Sequence, residues 1–205
     1  MTHDHQHAPH PPVAPATAAH VQAALEESLR VLRPWADGDW TVAAGSLEWS
    51  CWETAAHIAH DLTAYAGQLA ACPDDRCLPF DLVVRPGTAP KDVLRVVEAA
   101  AGMLCSALCA AAPGARAFHW GPCDPPGFAA MGVAETLLHT YDITRGLGVA
   151  WTPSPGLSET VVRRLFPDAP DGADPSAVLL WCTGRGELPG LARRSAWRWT
   201  AALPG

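Results

Sequence analysis

Glu135, His139 and Asp142 stand at i, i+4 and i+7 within GVAETLLHTYDITRGLG, residues 132–148. On a helix this spacing sets three polar side chains on one face. A second helix-like stretch, residues 52–69, offers His57, His60 and Asp61. Imidazoles and carboxylates delivered from two helices to one interior are the donors a divalent metal site in a helical bundle requires. Glu135 and His139 lie one turn apart and can chelate one ion, so a third ligand must come from another helix. His57 is the best placed, because Ala55, Ala56 and Ala59 beside it let two helices approach closely. A His, Glu, His set leaves coordination positions open, as catalytic sites do. Zn²⁺ suits the set best; Ni²⁺, Fe²⁺ and Mn²⁺ also fit on ligand type. His60 or Asp61 either replaces His57 as ligand or orients it, and Asp142 has the same orienting role for His139. The same spacing also describes polar residues on solvated helix faces, so the metal assignment depends on the two helices meeting.

The elements that must position these groups are read from apolar periodicity. Residues 17–32 form a first helix, with Val21, Ala24, Leu25, Ser28, Leu29 and Leu32 on one stripe and Pro34 ending it. Residues 35–47 are turn-rich, and Trp35, Trp40 and Trp49 are expected to pack over the bundle end. Residues 50–69 form the second helix, opened by Ser50 and Glu53 at capping-box spacing. A loop follows over 72–88, with a short extended piece at 80–85. Residues 90–112 form the third helix, with Pro90 at its first position. An irregular Gly- and Pro-rich loop spans 113–127. Residues 128–145 form the fourth helix, stopped by Gly146.

The expected fold is mainly α: a four-helix bundle over residues 17–151 with a short C-terminal extension, 152–205, packed on it. The extension reads as a short helix at 157–165, an apolar run at 178–182 and a strand-like alternation in SAWRWTAA. Residues 1–16, with His3, His5, His7 and His10 among Pro and Ala, read as a disordered tail able to bind metal ions loosely.

Composition narrows the function classes. The chain has 205 residues, 49% of them apolar, enough for one good core. Fourteen basic residues face 21 acidic ones, a net charge of −7, and no basic stripe appears, which argues against a nucleic-acid partner. No run of eighteen apolar residues occurs, so no membrane span is expected. The N-terminus has no basic and apolar succession of a secretory signal. Seven cysteines, several among apolar neighbours, read as reduced thiols of a cytoplasmic protein. Cys72 and Cys77, four residues apart around a PDDR turn, leave a disulfide or a metal pair open.

WSCWETAAHIAHDL, followed far downstream by DPPGFAAMGVAETLLHTYDITRGLG, resembles the mycothiol-dependent maleylpyruvate isomerase N-terminal family of the DinB-like metalloenzyme superfamily. The shared features are Trp49 eight residues before His57, and the E-x-x-x-H of Glu135 and His139. LLWCTGRGELPG is also similar to the tail of members. The resemblance covers most of residues 17–199. It implies a DinB-like four-helix bundle, a divalent metal on His57, Glu135 and His139, and a low-molecular-weight thiol such as mycothiol as cosubstrate, used for isomerisation or S-transfer. The chain departs from the isomerase in its short C-terminal region, which puts the isomerase substrate in doubt.

His119, in the loop before the metal helix, is a candidate acid or base. Arg145, with Arg185, Arg193 and Arg194, is a candidate carboxylate clamp. Trp49, Trp52 and Phe128 are candidates for the wall of a cofactor pocket, with Trp120 and Met131 nearby. A small-molecule substrate is the expected partner, and a homodimer is left open. Two other classes compete with the thiol enzyme: a non-catalytic metal- or ligand-binding bundle, and a metal-dependent hydrolase that uses no thiol.

Overall fold

The computed structural model describes residues 14–204. The chain is mainly helical there, with six α-helices and one two-stranded hairpin among the described residues. The elements are α1 (Ala18–Leu32), α2 (Cys51–Ala71), α3 (Pro90–Ala110), β1 (Ala117–Phe118), β2 (Pro122–Cys123), α4 (Pro125–Gly146), α5 (Pro155–Leu165) and α6 (Pro175–Cys182). The first thirteen residues, which include the four tail histidines, lie outside the described residues.

The stripe expected on the first helix is the face it buries: Val21, Ala24, Leu25, Ser28, Leu29 and Leu32. At the start of α2 the Ser50 hydroxyl accepts from the Glu53 amide at 3.2 Å, while the Glu53 carboxylate accepts from the Ser50 amide at 2.8 Å. Two otherwise unpaired helix-end donors are satisfied this way, which fixes the register of His57 relative to the helix start. At α4 the Asp124 carboxylate accepts from the Gly127 amide at 2.9 Å, and Pro125 occupies the first turn. The helix therefore begins three residues earlier than its apolar pattern suggests.

Each of α1 and α2 packs on both α3 and α4, and α5 covers another side of α4. As a result α4 is buried without a break from Gly127 to Thr140. That explains its weak apolar periodicity and its many small residues, because a helix enclosed on all sides has no solvent face to mark. At Gly132 an added Cβ would lie 2.6 Å from Leu104 Cδ2, so any side chain there would displace Leu104.

Helix α3 spans 21 residues, long and apolar enough by length and composition to cross a membrane. This revises the expectation from uninterrupted apolar runs. Val93, Leu94, Val97, Ala100, Ala101 and Leu104 of that helix are buried in the core.

The C-terminal extension differs from its expected form. The apolar run at 178–182 lies inside α6, which Asp174 caps by accepting from the Ala177 amide at 3.0 Å and Pro175 opens. SAWRWTAA forms no ladder and runs as an extended strap. Its Thr200 amide donates to Leu165 at 2.9 Å, and the Leu203 amide donates to Pro122 at 2.8 Å. Alternation alone makes no strand without a partner edge. The segment 80–85 is likewise unpaired. The loop expected to be irregular instead turns back as the β1–β2 hairpin, with Ala117 opposite Cys123. Of the three tryptophans placed over the bundle end, Trp40 is buried, while Trp35 and Trp49 remain 45% and 44% exposed. All seven cysteines are free thiols, so Cys72 and Cys77 are not bridged.

Candidate metal centre

Packing of α2 on α4 brings His57, Glu135 and His139 together, with one donor atom of each within 4.8 Å of the others. Glu135 and His139 are 7% and 8% exposed, whereas His57 is half-buried. The two α4 side chains meet directly, His139 Nε2 lying 3.1 Å from Glu135 Oε2. The His57 and His139 rings stand edge to face, centroids 5.0 Å apart. Trp49 lies over His57 at 4.6 Å and within 6.4 Å of His139. The open side of the cluster is therefore the one bordered by Trp49, His57 and His60.

The orienting partners are in place. His139 Nδ1 lies 3.1 Å from Asp142 Oδ2, which turns Nε2 towards Glu135 and the cluster centre. Asp142 is gripped in turn by Arg185, whose Nε and Nη2 donate to its two oxygens at 2.9 and 2.7 Å. Asp61 Oδ2 lies 3.1 Å from His57 Nε2. His60 is stacked beside His57, centroids 6.2 Å apart, and reaches Asp61 only at 3.8 Å. The Tyr65 hydroxyl donates to Glu135 Oε1 at 3.1 Å.

Charge is unevenly matched in this cluster. Three buried or mostly buried carboxyls, Asp61, Glu135 and Asp142, share one permanent cation, Arg185, which Asp142 occupies on both oxygens. Burial raises Glu135, His139 pulls it down, and the charge of Asp61 helps to leave it above the ordinary range. Burial pushes Asp61 up as well, but the hydrogen bond and charge of His57 outweigh it and hold the carboxyl low. Burial disfavours the His139 imidazolium, yet Asp142 and Glu135 overcome this and raise its pKa to about 9. Two facing carboxyls and two imidazoles without a fixed cation fit a divalent ion by donor type and by charge.

The metal-free protein should show this electrostatic arrangement in its pH dependence. His139 has a folded pKa of about 9 against an ordinary 6.5, so its stabilising charge is complete below pH 6.5 and lost as pH rises towards 9. Urea midpoints of chelator-treated protein are expected to fall across that window. A flat profile would mean that His139 is neutral in the metal-free fold.

The remaining sequence candidates are dispersed. Trp52 lies five residues before His57, about 140° around the helix. Its indole donates to the Thr88 carbonyl at 2.7 Å and lines a separate cavity with Trp40 and Pro90. Phe128 is fully buried, with its ring edge to face against Tyr65 at 6.2 Å and His119 at 6.3 Å. It backs the site and offers no surface to a ligand. His119 meets Tyr65 at 5.9 Å, and burial holds its pKa below the ordinary value. Arg145 is exposed near the other end of α4, seventeen residues past Phe128, or about 25 Å of helix. His119 and Arg145 therefore do not face one small substrate. Arg185 acts on Asp142 and leaves no free fork for a ligand carboxylate.

Two residues of the cluster were not read from the sequence in these roles. Tyr65 continues the 57, 61, 65 spacing along α2, a signal the sequence carries. Arg185 reaches Asp142 across 43 residues, and no local pattern announces that contact. Comparison with family models, with curated proteins and with solved structures finds no match for this chain.

Proposed function

We propose that the protein is a cytoplasmic, divalent-metal-dependent enzyme of the DinB and maleylpyruvate isomerase-like type, with α1 to α4 as its four-helix bundle. It uses a low-molecular-weight thiol, mycothiol-like, for isomerisation or S-transfer. The observation that carries this reading is the convergence of His57, Glu135 and His139 in a cluster with more carboxylate than fixed cation. Zinc suits the donors best. The ion, when bound, supplies Lewis acidity that lowers the pKa of a thiol placed against it.

The chain's own groups perform the remaining tasks. Asp142, fixed by Arg185, holds the His139 ring with Nε2 inward. Tyr65 holds Glu135, and burial keeps the Tyr65 hydroxyl protonated as a donor. Trp49 packs against the His57 ring and lies near that of His139. No nearby cysteine serves as the nucleophile, because burial raises Cys51 to about 11 and Cys123 to about 12. A thiol supplied from solution meets that need.

Cobalt-substituted protein titrated with 2-mercaptoethanol tests the reading. An intense near-ultraviolet thiolate-to-cobalt band is expected, absent in the Glu135→Ala/His139→Ala variant. Tight cobalt binding without that band would favour the thiol-free hydrolase or the binding protein.

A further inference from the structure

We propose that the cleft between the β1–β2 turn and the C-terminal strap binds an aromatic carboxylate. The cleft measures about 630 Å³, and its walls include His119, Trp120, Trp197, Arg198 and Trp199. That volume suits a small organic molecule. Three indoles on one cleft offer flat faces to a flat ring. Trp120 is 83% exposed and Trp197 is 40% exposed, so large apolar surfaces stand uncovered where a ligand ring would cover them.

The charge of the ligand follows from the lining. Arg198 is the one permanently charged residue on these walls, and no acidic side chain is among them. Arg198 has no ion-pair partner among the described residues. In a chain of net charge −7, an unpaired guanidinium beside three indoles favours a planar anion over a cation or a neutral ring.

The backbone of both walls is anchored before any ligand arrives. Trp120 has φ of +57° and the following Gly121 has φ of +141°, a tight turn at whose tip the Trp120 side chain is exposed. The His119 amide donates to the Gly121 carbonyl at 2.8 Å across that turn. On the other wall, Arg164 joins the Ala201 carbonyl at 2.6 Å to Asp124 at 2.9 Å, tying the strap to the start of α4. Anchored backbone on both walls reduces the ordering cost of binding. The cleft adjoins the metal cluster through two rings, His119 against Tyr65, and Tyr65 on Glu135. As the anchor of that centre's substrate, the cleft rests on the proposed function; as a binding site it stands without it.

Calorimetric titration of the full chain with 2-naphthoate, and with neutral 2-naphthylmethanol, tests the proposal. One naphthoate per chain is expected in both metal-free and zinc-loaded protein. Arg198→Gln and Trp120→Ala, both at exposed positions, should each weaken it at least about tenfold, and naphthylmethanol should bind at least about tenfold more weakly. The Glu135→Ala/His139→Ala variant should bind naphthoate as the parent does. Naphthoate bound by a parent protein that takes up no zinc when zinc is supplied would refute the metal centre and leave the cleft standing. Undiminished binding by Arg198→Gln, equal binding of the alcohol, loss in the Glu135→Ala/His139→Ala variant, or no binding at millimolar naphthoate would each overturn the cleft proposal.

Discussion

Replacing His139 with alanine is expected to abolish stoichiometric zinc binding while leaving the helical content nearly unchanged. A structural zinc site with four ligands is worth roughly 10–16 kcal/mol, so one imidazole accounts for roughly 2.5–4 kcal/mol, or about 70- to 900-fold in affinity. Glu135→Ala and His57→Ala should behave alike, because all three donors meet within one 4.8 Å cluster. His60→Ala should retain zinc within about tenfold, since His60 stacks beside His57 and has only a 3.8 Å contact to Asp61. Competition with a chromophoric chelator measures each affinity. Removing residues 1–15 first keeps the tail histidines from contributing. The fold should survive in His139→Ala because Asp142 keeps its two bonds to Arg185. If His139→Ala held zinc as tightly as the parent, the ligand assignment would fail.

The second large effect is expected at Arg185, far from α4 in sequence. Arg185→Ala leaves Asp142, whose side chain is 4% exposed, without its permanent cation. Removing one partner of a buried ion pair costs about 3–5 kcal/mol. The same change frees the carboxylate that orients His139, and loss of such a partner lowers metal affinity about 10- to 100-fold. These two consequences separate in the Arg185→Ala/Asp142→Asn protein. Removing the stranded charge should recover much of the stability, read by denaturant midpoint, while zinc affinity stays low. Arg185→Lys keeps the charge but not the planar fork, and should fall between the parent and the alanine variant. Zinc affinity unchanged in Arg185→Ala would show that Asp142 needs no support to hold His139.

Local rules already wrote much of this molecule into the sequence. The buried stripe of α1, the capping box of Ser50 and Glu53, and the i, i+4 placement of Glu135 and His139 depend on contacts within a few residues. The choice of His57 followed from its small neighbours on α2, and the structure brings it to the α4 pair. Where the prediction departed from the structure, the deciding partner was distant. SAWRWTAA alternates as a strand does, yet it makes no ladder, and the chain there runs as a strap held by single bonds to Leu165 and Pro122. Residue type alone groups Trp52 and Arg145 with the site, but helical phase turns Trp52 away from it, and Arg145 is exposed six residues past His139.

The sequence by itself determined the helices, their caps and the chelating pair on α4, because hydrogen bonds and side-chain spacing within one helix are set by neighbours in the chain. Only the tertiary structure decided that α4 is enclosed on all sides, that Arg185 locks Asp142 across 43 residues, and that the strap closes a cleft beside His119. Those outcomes depend on which surfaces meet when apolar faces are buried together, and burial is non-directional, so no local pattern records it.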